Sequence, residues 1–466
     1  MSIPRNLTIA DAARQLRDGS LTSLDLTTTI LDRAIRANES LGAYVEITAD
    51  TALEQAAAAD AAFKAGTDLG PLQGVPLAIK DIIAMRGTHT TANSRVLSSD
   101  WSGNADAAVV RRLREAGAVV VGKSTTYEFA IGLPDGETGF LIPHNPWDPS
   151  RTAGGSSSGT GIAVAAGLAL GGLGTDTAGS IRAPASANGH TGLKVTYGRV
   201  PTSGVVPLAP SLDTVGPMAR SARDCALLLD VMAGHDPADP NASRHPVDTY
   251  STALDGDIDG LKIGVPMPYF FDHDYMDPEV RTAVLTCIGQ LEDLGAVVSR
   301  TELRCPGLAS DANMILLVAE AFAYHRNDLV HRWTDYGRPT RLHLCHGAIY
   351  NAADLVQAVR FRHRFSTAAA ALLTDYDVLI TPTTPHAAPV ASDVDASERL
   401  RAPSYMAQWS LAGLPAIAIP AGFDTSGLPL SLQIIGRPFA EATVLKVADA
   451  LQSVTDYHLA TPPLFA

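Results

Sequence analysis

Residues 152–192 constrain the fold more than any other stretch, because glycine and small hydroxyl residues interrupt its apolar runs. The segments GGSSSGTG (154–161) and GTDTAGSIRAPAS (174–186) both lie within it. Glycine has no Cβ atom and adopts backbone conformations that other residues avoid. The stretch therefore predicts closely packed backbone whose N–H groups can face a ligand.

The chain before this stretch alternates between strand and helix patterns. An apolar run at 75–79 ends at Lys80, residues 105–116 (ADAAVVRRLREA) have amphipathic helical spacing, and 118–121 is apolar again. Strand, helix and strand at this spacing indicate an α/β fold. Later patterns predict helices at roughly 277–295 and 308–373, and strands at 378–381, 416–420 and 430–435.

Charge and apolar content limit the possible partners. The formal net charge is −14, and an acidic surface repels phosphate backbones, so we expect no nucleic-acid binding. No run approaches the ~20 apolar residues of a membrane span, and the first residues do not resemble a signal peptide. The four cysteines lack the paired spacing of zinc sites or disulfide frameworks. These features predict a cytoplasmic protein without membrane contact.

Three residues suggest serine chemistry. Ser156 and Ser180 lie in the glycine-rich segments, and Lys80 closes the buried strand upstream. A serine nucleophile needs a base, and lysine can serve only when burial lowers its pKa by ~2–3 units. The glycines before Ser180 would let backbone N–H groups stabilise an oxyanion.

The order of several motifs carries a resemblance to a known family. The motifs are GVPLAIKD (74–81), NPWDPSRTAGGSSSG (145–159), GTDTAGSIRAPAS (174–186), SLDTVGPMARS (211–221) and GLPAIAIPAGF (413–423). With these motifs in this order, the chain resembles the amidase signature family almost throughout, least at about 240–370. That resemblance implies a single large α/β/α domain with a mixed central sheet.

The resemblance assigns roles by position. Lys80 would be the catalytic base, Ser156 the bridging serine after a cis peptide bond, and Ser180 the acyl-forming nucleophile. The residues implied to form the oxyanion hole through their N–H groups are Thr177, Ala178, Gly179 and Ser180. The residues implied to brace the site are Ser157, Asp176 and Arg182. Alanine at 178 replaces a glycine common in the family, which a negative φ would tolerate.

No linker or repeat divides the chain, so residues 1–466 are predicted to form one domain. Within it we expect a helical lead-in at 1–65 and the catalytic core at 70–225. A variable helical part follows at about 240–370, and 375–466 supplies the C-terminal strands and helix.

The implied reaction is hydrolysis of a carboxylic amide to an acid plus ammonia or an amine, through an acyl-enzyme on Ser180. It needs no metal or organic cofactor. The expected partner is a small-molecule amide, and a homodimer is left open. The alternative is the amidase-like subunit of a tRNA-dependent amidotransferase complex, although residues 199–217 differ from the form associated with that subunit.

The segment 127–133 aligns with family residues near the acyl pocket, which places Phe129, Ala130 and Ile131 as candidate pocket residues. The simpler interpretation leaves Phe129 and Ile131 in the core. Few cationic residues lie near Ser180 in sequence, so we expect an uncharged, moderately apolar acyl group rather than a dicarboxylic half-amide. The cluster Arg360–Arg364 is either a solvated helix face or a cationic contact at the pocket mouth.

Other local patterns compete with this interpretation. GSSSG (155–159) fits the nucleophile elbow G-x-S-x-G with Ser157 at its centre, but loop residues replace the strand that the elbow requires. The same glycines lack the Gly-Lys-Ser/Thr of a phosphate-binding loop. HLCH (343–346) lacks the second ligand pair of a metal site.

Overall fold

The computed structural model describes residues 3–394 and 403–465, so a few positions of the predicted domain, at 1–2, 395–402 and 466, lie outside the described residues. Within the described part, eleven strands form one sheet in the order β1-β3-β2-β4-β6-β5-β10-β11-β9-β7-β8. The strands are β1 (Tyr44–Ile47), β2 (Pro76–Lys80), β3 (Val119–Ser124), β4 (Gly171–Asp176), β5 (Thr191–Lys194), β6 (Thr214–Ala219), β7 (Lys262–Pro266), β8 (Val297–Thr301), β9 (Val378–Pro382), β10 (Ala416–Phe423) and β11 (Pro429–Gly436).

The sheet is mixed. Strand β2 is parallel to both of its neighbours, β3 and β4, whereas β4 and β6 are antiparallel. Towards the other edge, β10 pairs with β5 and β11 in antiparallel fashion, and β7 is parallel to β8 and β9. The predicted α/β fold with a mixed central sheet is confirmed, while the finer division of the domain stays a prediction.

Helices connect and cover these strands. Among the described residues no helix is both long enough and apolar enough to cross a bilayer. The helices are α1 (Ile9–Asp18), α2 (Ser23–Leu41), α3 (Ala49–Lys64), α4 (Ala108–Glu115), α5 (Ser158–Ala165), α6 (Arg182–Asn188), α7 (Ala222–Met232), α8 (Met267–Phe270), α9 (Pro278–Asp293), α10 (Pro306–His331), α11 (Arg338–His346), α12 (Ala352–Asp375), α13 (Ala407–Leu411) and α14 (Glu441–Ser453).

The parallel pair β2 and β4 brings the predicted catalytic residues together. Leu77 pairs with Gly171 and Ile79 with Leu173, so both strands end at the same edge of the sheet. Lys80 is the last residue of β2 and Asp176 the last of β4. The loops that carry Ser156 and Ser180 flank β4 in sequence, one before α5 and one before α6. The fold therefore assembles one site from three separate motifs.

Gly159 shows why part of the glycine-rich stretch cannot hold larger residues. It lies in the first turn of α5, and its N–H donates to Thr125 O at 2.9 Å. A Cβ atom at this position would lie 2.2 Å from Ala43 O and 2.3 Å from Thr125 N. Because both neighbours are backbone atoms, they cannot rotate away. Glycine therefore lets α5 approach the end of β3 and fixes the loop that carries Ser156.

We predict that Gly159→Ala lowers the free energy of unfolding by about 3 kcal/mol, because the added methyl group overpacks rigid backbone. Urea denaturation of the purified variant measures the change. Gly289→Ala is the matched control: Gly289 lies within α9 and a Cβ there meets nothing within 4 Å. Alanine favours the helix there by about 0.5–1 kcal/mol. Equal stability of the two variants would contradict the close-approach explanation.

Candidate active site

Lys80 is the buried base candidate at the centre of the site. Its side chain is 0% exposed, and its Nζ atom donates to Ser156 Oγ at 2.8 Å and to Thr175 Oγ1 at 2.8 Å. Removal from water disfavours an ammonium charge. Burial therefore lowers the pKa of Lys80 to about 7, against the opposing effect of the Asp176 and Asp213 carboxylates. A large part of the amine is thus neutral near pH 7 and can accept a proton.

Thr175 belongs to this site, although the sequence motifs do not single it out. It lies on β4 directly before Asp176, next to β2. Side chains of consecutive strand residues point to opposite faces, so the Thr175 hydroxyl reaches Lys80 while Asp176 turns to Arg182. Thr175 belongs to the segment GTDT (174–177), but its contact with Lys80 can be predicted only once β2 and β4 are known to be neighbours.

Ser156 lies between the buried amine and the open cavity. The Gly155–Ser156 peptide bond is cis, as the family resemblance implies. Gly155 packs tightly against Tyr127, whose ring carbon would lie 2.2 Å from an added Cβ atom. The Ser156 carbonyl oxygen also accepts from Tyr127 N at 3.2 Å. Ser156 lines the cavity and contacts Lys80 through its hydroxyl, as a proton relay requires.

Ser157 is a bracing residue in the structure. Its Oγ donates to Thr175 O at 3.2 Å and accepts from Thr175 N at 3.2 Å, so it joins the start of α5 to β4. Its side chain is completely buried and it is not part of the described cavity wall. No strand occupies residues 153–157. The nucleophile-elbow interpretation of Ser157 therefore lacks both the required strand and an accessible hydroxyl.

Ser180 is the accessible serine of the pair. It is partly exposed and lines the same cavity as Ser156. Its Oγ forms no hydrogen bond with another described residue, so this hydroxyl is open to a ligand. Its carbonyl oxygen accepts from Ser157 N at 3.2 Å, which ties the two serine loops together.

Backbone amides near Ser180 face the cavity. Across the described residues, the N–H groups of Thr177, Ala178 and Ser180 have no acceptor, so three of the four predicted amides are free. Gly179 requires a correction, because its N–H donates to Asp176 Oδ1 at 2.7 Å and meets a ligand only by leaving that carboxylate. Ala178 has no positive φ, so alanine fits where family members have glycine.

Asp176 and Arg182 form a buried ion pair that braces the loop, as predicted. Arg182 Nε lies 3.0 Å from Asp176 Oδ2 and Nη2 lies 3.0 Å from Oδ1, with both side chains 0% exposed. Burial alone would raise the pKa of Asp176, but the Arg182 charge and hydrogen bonds reverse this and lower it. Arg182 also donates to Gln433 at 3.0 Å and to Ser410 at 2.9 Å. The loop is thereby anchored to β11 and α13.

Asp213 is a second polar residue that sequence reasoning does not assign. The Thr177 hydroxyl donates to Asp213 Oδ1 at 2.6 Å, and Oδ2 accepts from the N–H groups of Leu208 and Ala209. Burial raises the pKa of Asp213, although these hydrogen bonds oppose it. Its position within the family-like block SLDTVGP is the only sequence signal. Asp213 therefore holds Thr177, one of the loop residues with a free N–H group, in place.

A cavity of about 610 Å³ opens over Ser156 and Ser180. Its walls are largely apolar, with contributions from α10 and from 403–407. His343 and His346 of α11 also line it. Within the described part of the chain, no three His, Cys, Asp or Glu side chains gather as a metal site would require. The cavity is large enough to hold an organic amide whose substituent extends well beyond the reacting group.

The three predicted pocket residues divide between wall and core. Ala130 and Ile131 line the cavity. Phe129 does not: it is 2% exposed and packs on His325 and Tyr336, with ring centroids 4.3 Å and 5.9 Å away. The prediction that Phe129 faces the substrate is therefore wrong, because helix α10 supplies an aromatic neighbour behind it.

The basic cluster of α12 does not contribute to the described cavity wall. Arg362 donates to Ser211 O at 2.8 Å, and Arg360 and Arg364 are exposed. No lysine or arginine is among the described residues that line the cavity. The cluster is thus a helix face, with one member bound to the backbone.

Comparison with known proteins gives consistent matches over nearly the whole chain. The amidase family model matches residues 25–445. A glutamyl-tRNA(Gln) amidotransferase subunit from Moorella thermoacetica is 40% identical over 490 aligned residues, covering 98% of this chain and 98% of its own.

Solved structures are similar in fold over the same extent. A peptide amidase from Stenotrophomonas maltophilia superimposes with a TM-score of 0.82 and 30% identity, covering 96% of both chains. An s-triazine catabolic enzyme, described with a vestigial protein complex, gives a TM-score of 0.88 and 31% identity, covering 96% of this chain and 98% of that one.

The lowered pKa of Lys80 predicts a specific pH dependence of stability. Its ordinary value is 10.5 and its folded value about 7, so the unfolded chain binds more protons between these limits. The folded state therefore gains stability as pH rises. The unfolding free energy of the wild type, minus that of Lys80→Met, should rise by about 1.4 kcal/mol per pH unit from pH 7 to 9. Below pH 6 the difference should be constant.

Urea denaturation across this pH range measures the difference. Lys64→Met, at an exposed site on α3, is the matched control and should give a difference that does not change with pH. A flat difference for Lys80→Met as well would show that the Lys80 amine remains protonated in the folded protein.

Proposed function

The chain belongs to the amidase family, and from that membership we propose that it hydrolyses the C–N bond of a carboxamide through an acyl-enzyme on Ser180. One observation carries this proposal. A completely buried lysine with a pKa of about 7 contacts Ser156, which shares a cavity with Ser180. Lysine serves as a base only when neutral, and this burial supplies the condition.

In the first step, Ser180 Oγ attacks the carbonyl carbon of the amide. Its proton passes to Ser156 Oγ, and the proton of Ser156 passes to the neutral Nζ of Lys80. Thr175 accepts a hydrogen bond from the same nitrogen at 2.8 Å, which orients the lone pair towards Ser156. The relay explains why the buried base need not contact the nucleophile itself.

The carbonyl oxygen becomes an oxyanion in the tetrahedral intermediate. The free N–H groups of Thr177, Ala178 and Ser180 are the donors that we assign to it. Preorganised donors of this kind are commonly the largest contribution to such a reaction. The Asp176–Arg182 pair and the Thr177–Asp213 hydrogen bond hold the loop in place before substrate arrives.

Collapse of the intermediate breaks the C–N bond. The proton held on Lys80 returns through Ser156 to the leaving nitrogen, which departs as ammonia or an amine. Water then attacks the acyl-enzyme, with its proton following the same relay, and releases the carboxylic acid. Each proton taken up is returned, so the cycle requires no metal or organic cofactor.

The cavity favours an acyl group without a free carboxylate. Besides the histidines His343, His346 and His386, its described wall carries no group that can become cationic, and a buried carboxylate without a permanently charged partner is costly. The wall around Ala130, Ile131 and Met314 is apolar. We infer that the substrate is an amide with a moderately apolar acyl group next to the reacting carbonyl.

A second candidate is a role within an amidotransferase complex, which the 40% identity to the Moorella thermoacetica protein favours. In that setting, ammonia released at Ser180 would pass to a partner protein rather than to solvent. The chemistry at Ser180 would be the same. The two candidates differ in whether the isolated chain turns over simple amides.

We predict that the purified chain alone releases ammonia from benzamide or hexanamide, and that Ser180→Ala lowers this rate by several orders of magnitude. Ser426→Ala is the control, since Ser426 is exposed and outside the cavity wall, and it should keep the wild-type rate. An ammonia-release assay with denaturation curves of each variant measures both points.

Release of ammonia only after a partner protein is added would favour the amidotransferase candidate. Full activity in Ser180→Ala would overturn the proposed mechanism in either setting.

A further inference from the structure

Asp311 is a charged residue in the cavity that the proposed chemistry does not use. It lies on the face of α10 that lines the wall together with Met314, Ile315 and Val318. Of the described cavity-lining residues, it alone carries an Asp, Glu, Lys or Arg side chain. Its carboxylate forms no ion pair or hydrogen bond with another described residue. An unpartnered carboxylate therefore faces the space that a substrate would occupy.

The surroundings of Asp311 suit a cation. Asp311 is an exposed residue of the cavity wall, and its partial removal from water raises the pKa of its carboxyl above the ordinary value. Burial, and to a smaller extent the negative charge of nearby Asp311, raise the pKa of Tyr269. Its ring packs on Tyr405, with centroids 5.7 Å apart, and Tyr405 lines the cavity. A carboxylate that faces a cavity without a cationic partner is a group that binds an ammonium ion.

The Asp311 region and the catalytic loop border the same segment. Tyr405 is followed by Met406, and a Cβ atom on Gly179 would lie 2.9 Å from Met406 Sδ. Tyr405 therefore joins the neighbourhood of Asp311 to the loop that carries Ser180. Ser180 and Asp311 line the same cavity.

We propose that this site takes a carboxamide whose acyl group carries a protonated amine, with the amide at Ser180 and the ammonium bound by Asp311. The inference rests on the proposed amide hydrolysis and names its substrate class. It narrows the expectation of an uncharged acyl group: the part next to the carbonyl is apolar, and the distal end is cationic. A distal carboxylate is disfavoured, since it would meet Asp311 with the same charge.

The test compares three primary amides of similar length: 5-aminopentanamide, hexanamide and glutaramic acid, which are cationic, neutral and anionic at neutral pH. For the wild type, kcat/KM should be about tenfold higher for the cationic than for the neutral amide, and lowest for the anionic one. Asp311→Asn should remove the preference for the cationic over the neutral amide. Asp311→Glu should retain part of it.

Asp293→Asn is the matched control, because Asp293 is an exposed residue at the end of α9, and it removes one negative charge outside the cavity wall. It should keep the full preference. An unchanged preference in Asp311→Asn, or an equal loss in both variants, would overturn the role of Asp311 while leaving amide hydrolysis intact.

If no amide is hydrolysed, the proposed function fails, and binding at Asp311 is then tested by itself. Butylammonium should slow the reaction of Ser180 with a neutral fluorophosphonate more strongly than butanol does. Asp311→Asn should abolish that difference. Equal protection by both compounds in the wild type would overturn the inference.

Discussion

The burial of one amine determines most of the other features of the site. Lys80 is completely buried, and its nitrogen lies 2.8 Å from each of two hydroxyl groups. Holding a lysine there lowers its pKa to about 7, which corresponds to roughly 4–5 kcal/mol of unfavourable transfer of charge. The fold places Lys80 there because β2 and β4 are central, parallel neighbours whose ends meet inside the molecule.

The other polar groups serve to keep the surrounding backbone fixed. Asp176 and Arg182 satisfy each other without solvent, and Arg182 extends to Gln433 on β11. Ser157 and Asp213 hold the loop from its two sides through hydrogen bonds to backbone and to Thr177. As a result, the loop with the free amides is held in place before a substrate binds, while the hydroxyl of Ser180, which we propose as the nucleophile, has no hydrogen bond to another described residue and is partly exposed.

The sequence predicts five of the eleven described strands (β2, β3, β9, β10 and β11), several helices and most residues of the candidate site, because each lies in a compact local motif. Lys80 closes an apolar run, and Ser156 and Ser180 lie among glycines. Thr175 cannot be assigned this way, since its role depends on which strand lies beside β4. The prediction for Phe129 fails for a similar reason: its neighbours His325 and Tyr336 lie far along the chain, where the family resemblance is weakest.

The central claim, that neutral Lys80 activates Ser180 through Ser156, is tested most directly by the rate at which a neutral fluorophosphonate labels Ser180. This measurement needs no knowledge of the substrate. We expect a labelling rate that rises with pH around an apparent pKa of about 7 and then levels, and a slow rate in Lys80→Arg, whose guanidinium cannot lose its proton. A rate independent of pH, or a Lys80→Arg variant labelled as fast as the wild type, would contradict it.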